Sequence, residues 1–479
     1  MKPIRLLLLL ALPLAASCGE EEEGPIVVSA IGNMPVLVNP NLETLDPAAA
    51  FLLGNAAQGL VRFDAAGQIE PALAQSWIVS DDGLRYTFRL ARSGWLEGER
   101  MTAEEVANRL RAAMSRASDN PLKPMLGAIE DIEAMTEDVL EVRLKSERPN
   151  FLQLLAQPEM AIMVDRRGSG PYRPEWREDG SVLLVPPADD GEAERSPPPL
   201  LLRGERAPKA VARFEMGLAD LVIGGTIGDL PYARVADLPG TALRYDPAAG
   251  LFGIAVVEDH GLLADADTRA ALAMAIDRAS LAADFDIAEL TGRTALLPAD
   301  LSEGLDPAEP GWTRLDLAER RERGRAIIAD AGFEKRRLRI ALPAGIGYRR
   351  IFRHIERDWR AIGVAAEPVD WADDADLRLV DRVAPANSAG WYLRHFACER
   401  SVICDPRAEA LLDAAQEAPT LAARARLLAG ADRALAEAVP FIPLATPLRW
   451  SLVSPRLAGF RPNMFARHGG LELVETSAP

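Results

Sequence analysis

Strand-like and helix-like segments alternate along most of this chain, and that alternation limits its fold more than any other feature. Ile26 to Ile31 is a β-branched run that reads as a strand. Residues 199–223 read as strand, helix, strand: Leu200-Leu201-Leu202, then Ala207 to Met216 with Gly217 as a stop, then Ala219 to Ile223. The same order returns between Leu338 and Val369, with the amphipathic stretch Tyr348 to Ile362 in the middle. Thr102-Ala103-Glu104-Glu105 predicts a capping box, which opens a helix with Val106, Leu110, Ala113 and Met114 on one face. Asp138 to Leu144 alternates like a strand with one wet face. Asp405-Pro406 supplies an N-cap and N1 pair, a further helix runs from Leu421 to Glu437, and Phe441 to Leu444 reads as a strand. Repeated strand–helix–strand units pack as helices on mixed or parallel sheets, so the expected class is α/β.

The N-terminus reads as an address. Lys2 and Arg5 form a positive region, and Leu6 to Ala16 is an apolar run too short to span a bilayer core of roughly 30 Å. Small residues and Cys18 follow. Leu14-Ala15-Ala16-Ser17-Cys18 resembles a bacterial lipobox, which would make Cys18 a lipidated first mature residue; a plain secretory signal cut nearby is the alternative. Residues 1–17 are thus a signal peptide and 18–24 an acidic tether, because the run Glu20 to Glu23 repels itself and stays extended. No later apolar run approaches the length of a membrane span. The formal net charge is −17; the 54 basic residues less Lys2 and Arg5 leave 52 against 71 acidic ones, a mature net of −19. So acidic a chain is a poor partner for nucleic acid, whose phosphates need clustered Lys and Arg.

With Cys18 assigned to a lipid, Cys398 and Cys404 remain, six residues apart. An exported protein would pair them in a disulfide. Two free thiols, or a metal site with the adjacent His395 and Asp405, are the other readings, although the spacing matches no standard zinc pattern. The chain has no Gly-x-Ser-x-Gly, no His-Glu-x-x-His and no P-loop, and its four histidines are scattered, so neither an enzyme nor a cofactor is expected.

Short motifs in order along the chain identify it as a member of the family 5 solute-binding proteins of bacterial ABC importers, the peptide- and nickel-binding group. Leu45-Asp46-Pro47 resembles that family's "LDP". Gln58 to Asp64 resembles "YEGLVRFD", Ser80 to Leu90 "SDDGLTYTFHL", and Trp95 with Met101 to Val106 "W-x-x-G-x-x-x-TAEDV". Gly168 to Tyr172 resembles "GTGPY", and Thr268 to Leu281 resembles "VRQALNYAIDREAL". The resemblance implies a two-lobed clamp like the type II periplasmic binding proteins, with an additional inserted subdomain. One lobe would take residues 25–45, 165–245 and 440–479, the inserted subdomain 46–164, and the other lobe 246–439.

The same resemblance points to residues for the ligand. Peptide binders of the family commonly carry W-x-x-D late in the second lobe, the Asp holding the peptide's α-ammonium. Here that stretch is Leu379 to Asn387, with Arg382 at the Trp and Pro385 at the Asp, so the anchor is missing unless Asp381 substitutes. An Arg at that place would favour a carboxylate or phosphate, or else Arg382 is a surface charge. Asp381, Arg382 and Asn387 are therefore candidate ligand-binding residues. Trp391 and Tyr392 would be either pocket walls or core. Gly224-Gly225-Thr226 follows a strand and would either offer backbone N–H groups to a polar ligand or make a tight turn.

The expected function is that of an extracytoplasmic lipoprotein, held at a membrane by its lipid and acting as a monomer. It would deliver a small solute, a peptide above all, to ABC permease subunits by clamp closure. The alternative is a sensor or scaffold that kept the fold with an altered pocket and transports nothing. Metal is not expected at the site.

Overall fold

The computed structural model describes residues 24–91, 101–164, 167–186, 197–332 and 337–474. The signal peptide, Cys18, nearly all of the tether and Trp95 lie outside the described residues. None of the described helices is long and apolar enough to cross a membrane.

Two mixed sheets and one antiparallel sheet organise the chain. The largest has seven strands, in the order Arg173–Trp176, Val182–Val185, Leu200–Glu205, Ile26–Ile31, Leu221–Thr226, Arg449–Val453 and Leu243–Asp246. Its centre is parallel: Val28 stands opposite Leu202 on one side and Leu221 on the other. These central side chains are buried, as expected for strands covered on both faces. Helix Ala207–Glu215 makes the crossover, and its Ala210, Val211 and Phe214 are buried. Helix Pro47–Ala56, capped by Asp46, packs Ala48, Phe51 and Leu52 into the core with Ile26, Val28 and Leu200.

The second mixed sheet has five strands, in the order Ala365–Asp370, Arg337–Leu342, Leu377–Val383, Gly250–Val256 and Phe441–Pro443. Helix Ile346–Arg360 links its first two strands in sequence, and its Ile351, Ile355 and Trp359 are buried in the core. The third sheet, of four antiparallel strands, comprises Ala74–Val79, Arg85–Leu90, Val139–Leu144 and Ile129–Ala134. Helix Ala103–Met114 covers it, opened by the capping box that the sequence predicts: Thr102 Oγ1 accepts from Glu105 N, and Glu105 Oε2 accepts from Thr102 N. Such a cap stabilises a helix by about 1 kcal/mol.

Two expected boundaries move. Helix Pro47–Ala56 belongs to the core of the seven-stranded sheet, so the inserted subdomain cannot begin at residue 46. Strand Phe441–Pro443 pairs Ile442 with Ile254 in the five-stranded sheet, so the chain returns to the first lobe only after it. Phe441 is held there by packing on Phe396, with ring centroids 5.4 Å apart. The chain therefore passes between the two mixed sheets at residues 246–250 and again at 443–449.

Candidate functional site

The two lobes and the inserted subdomain enclose a cleft of about 1280 Å³. That exceeds the roughly 300–1,000 Å³ of sites for small organic ligands. The seven-stranded sheet contributes the ends of strands Leu221–Thr226 and Arg449–Val453. The five-stranded sheet contributes the end of Leu377–Val383, and the subdomain contributes residues 118–125 and 156–159.

At the base of the cleft the lobes touch. Arg449 of the first lobe donates from Nη1 to Asp381 Oδ1 of the second at 2.7 Å, and Tyr348 Oη donates to Asp381 Oδ2 at 2.7 Å. The side chains of Arg449 and Asp381 are 14% and 3% exposed. Gly347 N donates to Gly228 O across the same seam at 3.0 Å. Glycine is required on both sides: a Cβ on Gly347 would fall 1.8 Å from Ile227 O, and one on Gly228 would fall 2.3 Å from the Tyr348 ring. Burial, with Asp381 adding, raises the Tyr348 phenol well above its ordinary range, so it stays a donor. Both carboxylate oxygens of Asp381 are thus engaged in this seam.

Gly224-Gly225-Thr226 is neither an open nest of N–H groups nor a simple turn. It is a bulge at the end of its strand, where the register to Arg449–Val453 shifts between Val222 and Gly225. Gly224 has φ +81°, a conformation that favours glycine. A Cβ on Gly225 would lie 2.2 Å from the Trp450 ring, and Trp450 Nε1 donates to Thr226 O at 2.7 Å. All three residues face the cleft. Thr226 Oγ1 bonds Asp229 Oδ2 at 3.0 Å, and burial raises the Asp229 carboxyl.

The wall of the second lobe holds Arg382, Trp391, Arg394, His395 and Arg400. Arg382 is exposed in the cleft and forms no ion pair among the described residues; its Nη1 lies 3.5 Å from His395 Nε2. Trp391 packs edge-on against His395 with centroids 4.5 Å apart. Burial, with Arg382 and Arg400 adding, pushes His395 down to about 4, so the ring is neutral at pH 7. Arg394 reaches Asp413, and Arg400 pairs with its neighbour Glu399.

Two expected site residues leave the cleft. Tyr392 is wholly buried in the second lobe, edge-on to Trp391 with ring centroids 4.9 Å apart and with the Arg293 guanidinium 5.8 Å from its ring. Asn387 ties units together: its N donates to Gln153 Oε1 of the subdomain at 3.0 Å and its Nδ2 to Asp300 O at 3.0 Å. Cys398 and Cys404 are joined in a disulfide. Asp405 caps helix Pro406–Ala414, accepting from Arg407 N and Ala408 N. No group of three His, Cys, Asp or Glu is placed to hold a metal ion among the described residues.

Sequence reasoning missed Arg449 and Tyr348, and it missed the segment Phe465 to Glu472, which lines the cleft from the C-terminal side. There Phe465 stacks on Phe63 of the subdomain at 4.4 Å, and Arg467 pairs with Glu159 at 2.9 Å. His468 Nε2 lies 3.3 Å from Asp246 Oδ2, both nearly buried. Nothing in the sequence marks this segment, since its partners are more than 200 residues away.

The family model of bacterial extracellular solute-binding proteins, family 5 (middle), matches residues 68–396, and the chain belongs to that family. It is 20% identical over 465 residues to the periplasmic oligopeptide-binding protein OppA of Haemophilus influenzae, covering 84% of this chain and 85% of that protein. It is 34% identical over 122 residues to the nickel-binding periplasmic protein of Escherichia coli, over 25% of this chain and about a quarter (23%) of that protein's length. The crystal structure of Haemophilus influenzae OppA in complex with RPPGFSPFR has the same fold, with a TM-score of 0.81 at 17% identity, over 94% of this chain and 99% of that one. The fold is the α/β architecture of periplasmic binding proteins with an extra subdomain, and the family is one of solute binders rather than enzymes.

Proposed function

We propose that this extracellular solute-binding protein captures a peptide in its cleft and presents it to an ABC importer by closing its lobes. The observation that carries this reading is the cleft of about 1280 Å³, walled by all three units. Its charges support a zwitterionic guest. Asp46 caps a helix, Asp381 is held by Arg449, Glu159 by Arg467 and Asp246 by His468. Asp119 of the subdomain and Arg382 of the second lobe are both exposed in the cleft and form no ion pair among the described residues. A peptide offers an ammonium to the first and a carboxylate to the second. This pairing would take the place of the W-x-x-D anchor that the stretch Leu379 to Asn387 does not carry.

We read Cys18 as the lipid anchor, with the acidic run behind it as a tether and the body acting as a monomer beside its permease. A thermal-shift screen of peptides and metabolites tests the ligand reading. A binder at a hundred times its Kd stabilises the native state by about 2.7 kcal/mol. Peptides are expected to raise the melting temperature, and no shift at millimolar concentrations overturns the reading. Mass spectrometry of membrane-extracted protein tests the anchor: a diacylglycerol-modified Cys18 is expected, and a free N-terminus elsewhere overturns it.

A further inference from the structure

A second, smaller cavity of about 40 Å³ lies where the inserted subdomain meets the five-stranded lobe. Three guanidiniums face it. Arg148 comes from the segment after strand Val139–Leu144, Arg394 from the end of helix Ala389–Arg394, and Arg424 from the first turn of helix Leu421–Ala438. Glu303 is the one carboxylate on its wall. The side chains of Arg424 and Glu303 are 8% and 6% exposed and lie 3.7 Å apart. Glu303 is already engaged, its Oε1 accepting from Ser388 Oγ at 2.8 Å and its Oε2 from Ala389 N at 3.2 Å. Arg148 forms no ion pair among the described residues; it donates to Ser146 Oγ and to the carbonyls of Glu147 and Gln416. Arg394 donates from Nη2 to Leu412 O at 2.8 Å, and the nearest carboxylate it pairs with among the described residues is Asp413, 3.7 Å away and 65% exposed. Burial, with Arg424 and Arg394 adding, pushes Arg148 down to about 9.

Like charges gathered in a poorly solvated space repel, and a buried cation without a counter-charge is costly. One carboxylate does not balance three guanidiniums. The cavity has room for more than one water, which needs roughly 10–15 Å³. We propose that this cavity is an anion subsite, holding one halide-sized anion or one carboxylate group between Arg148, Arg394 and Arg424. The planar guanidinium forks suit a carboxylate, and a small anion satisfies the same donors. Pro124, Met125, Arg394 and Gln416 line both this cavity and the cleft. The anion therefore arrives either free from solvent or as a carboxylate carried by the solute, and the second source rests on the peptide reading above.

The test uses the full chain. Crystals soaked in sodium bromide are expected to give an anomalous peak among the three guanidiniums. The melting temperature is expected to rise saturably in sodium bromide relative to sodium gluconate at equal ionic strength. Arg424→Gln is expected to abolish that rise, and Glu303→Gln, which removes the competing carboxylate, to enlarge it. A purely structural role would lower the stability of both variants and leave the halide dependence unchanged. For the solute-borne source, the tripeptide Ala-Glu-Ala is expected to bind about tenfold more tightly than Ala-Gln-Ala, a preference lost in Arg424→Gln. A bromide peak with halide-specific stabilisation supports a free anion; the tripeptide preference without a halide effect supports a solute-borne one. Absence of the peak, of the halide effect and of the preference overturns the proposal. Binding of neither tripeptide counts against the peptide reading, and the bromide arm then decides alone.

Discussion

The base of the cleft and its second-lobe wall carry similar side chains in opposite surroundings. Asp381 and Arg382 are neighbours on one strand. Asp381 is buried and held by Arg449 and Tyr348 from two directions, whereas Arg382 is exposed and forms no ion pair among the described residues. The difference teaches how to sort charges in a binding protein. A buried charge with fixed partners holds one arrangement of the lobes, because removing either partner strands the other. A charge that faces the cleft without an ion pair stays available to a ligand, even where burial lowers its pKa, as at Arg382.

The largest effect that would break this contrast is at the base. Arg449→Met leaves Asp381 buried and unpaired, and should lower unfolding stability by about 3–5 kcal/mol in urea titrations. Adding Asp381→Asn should recover part of that loss; a loss of under about 1 kcal/mol from Arg449→Met alone would place both walls in the same class. Next comes the acid side of the wall. The unfolded His395 takes up a proton below about pH 6.5, but the folded one only near pH 4. Its contribution is therefore present above pH 6.5 and is lost as the pH falls towards 4, by up to about 3 kcal/mol. His395→Gln should flatten that part of the stability–pH curve. Tyr348→Phe removes one hydrogen bond to a charged group and should cost about 1.5–3 kcal/mol, read from the midpoint of urea unfolding. The smallest effect on stability is at Arg382: Arg382→Ala should stay within about 0.5 kcal/mol of the parent. The same change should weaken binding of a carboxylate-bearing peptide about tenfold by calorimetry, which sharpens the contrast.

Much of the fold was legible in local residues. The Thr102 capping box, the Asp405-Pro406 helix start and the alternation of Asp138 to Leu144 are short-range signals, and each stands in the structure where the sequence places it. The boundaries were less legible because sheet membership is a long-range choice. Strand Phe441–Pro443 has the same local pattern whichever sheet it joins, and only its pairing with Ile254 decides. Of the residues that the sequence offers for the ligand, Gly224, Gly225, Thr226, Asp381, Arg382 and Trp391 line the cleft, while Tyr392 and Asn387 do not. The direction of a side chain on a six-residue helix depends on how that helix docks, and no sequence spacing fixes that for a helix so short.

By itself the sequence determined the α/β class, the order of the elements and the family, since these rest on local periodicity, caps and motifs read in series. Only the tertiary structure decided which charges are committed and which are free. Asp381 and Arg449 are 68 residues apart, and Arg148 lies 276 residues from Arg424. Pairing across such separations follows from how the lobes and the subdomain pack. The strength of a charge in a binding site depends on burial and partners, which local sequence does not encode.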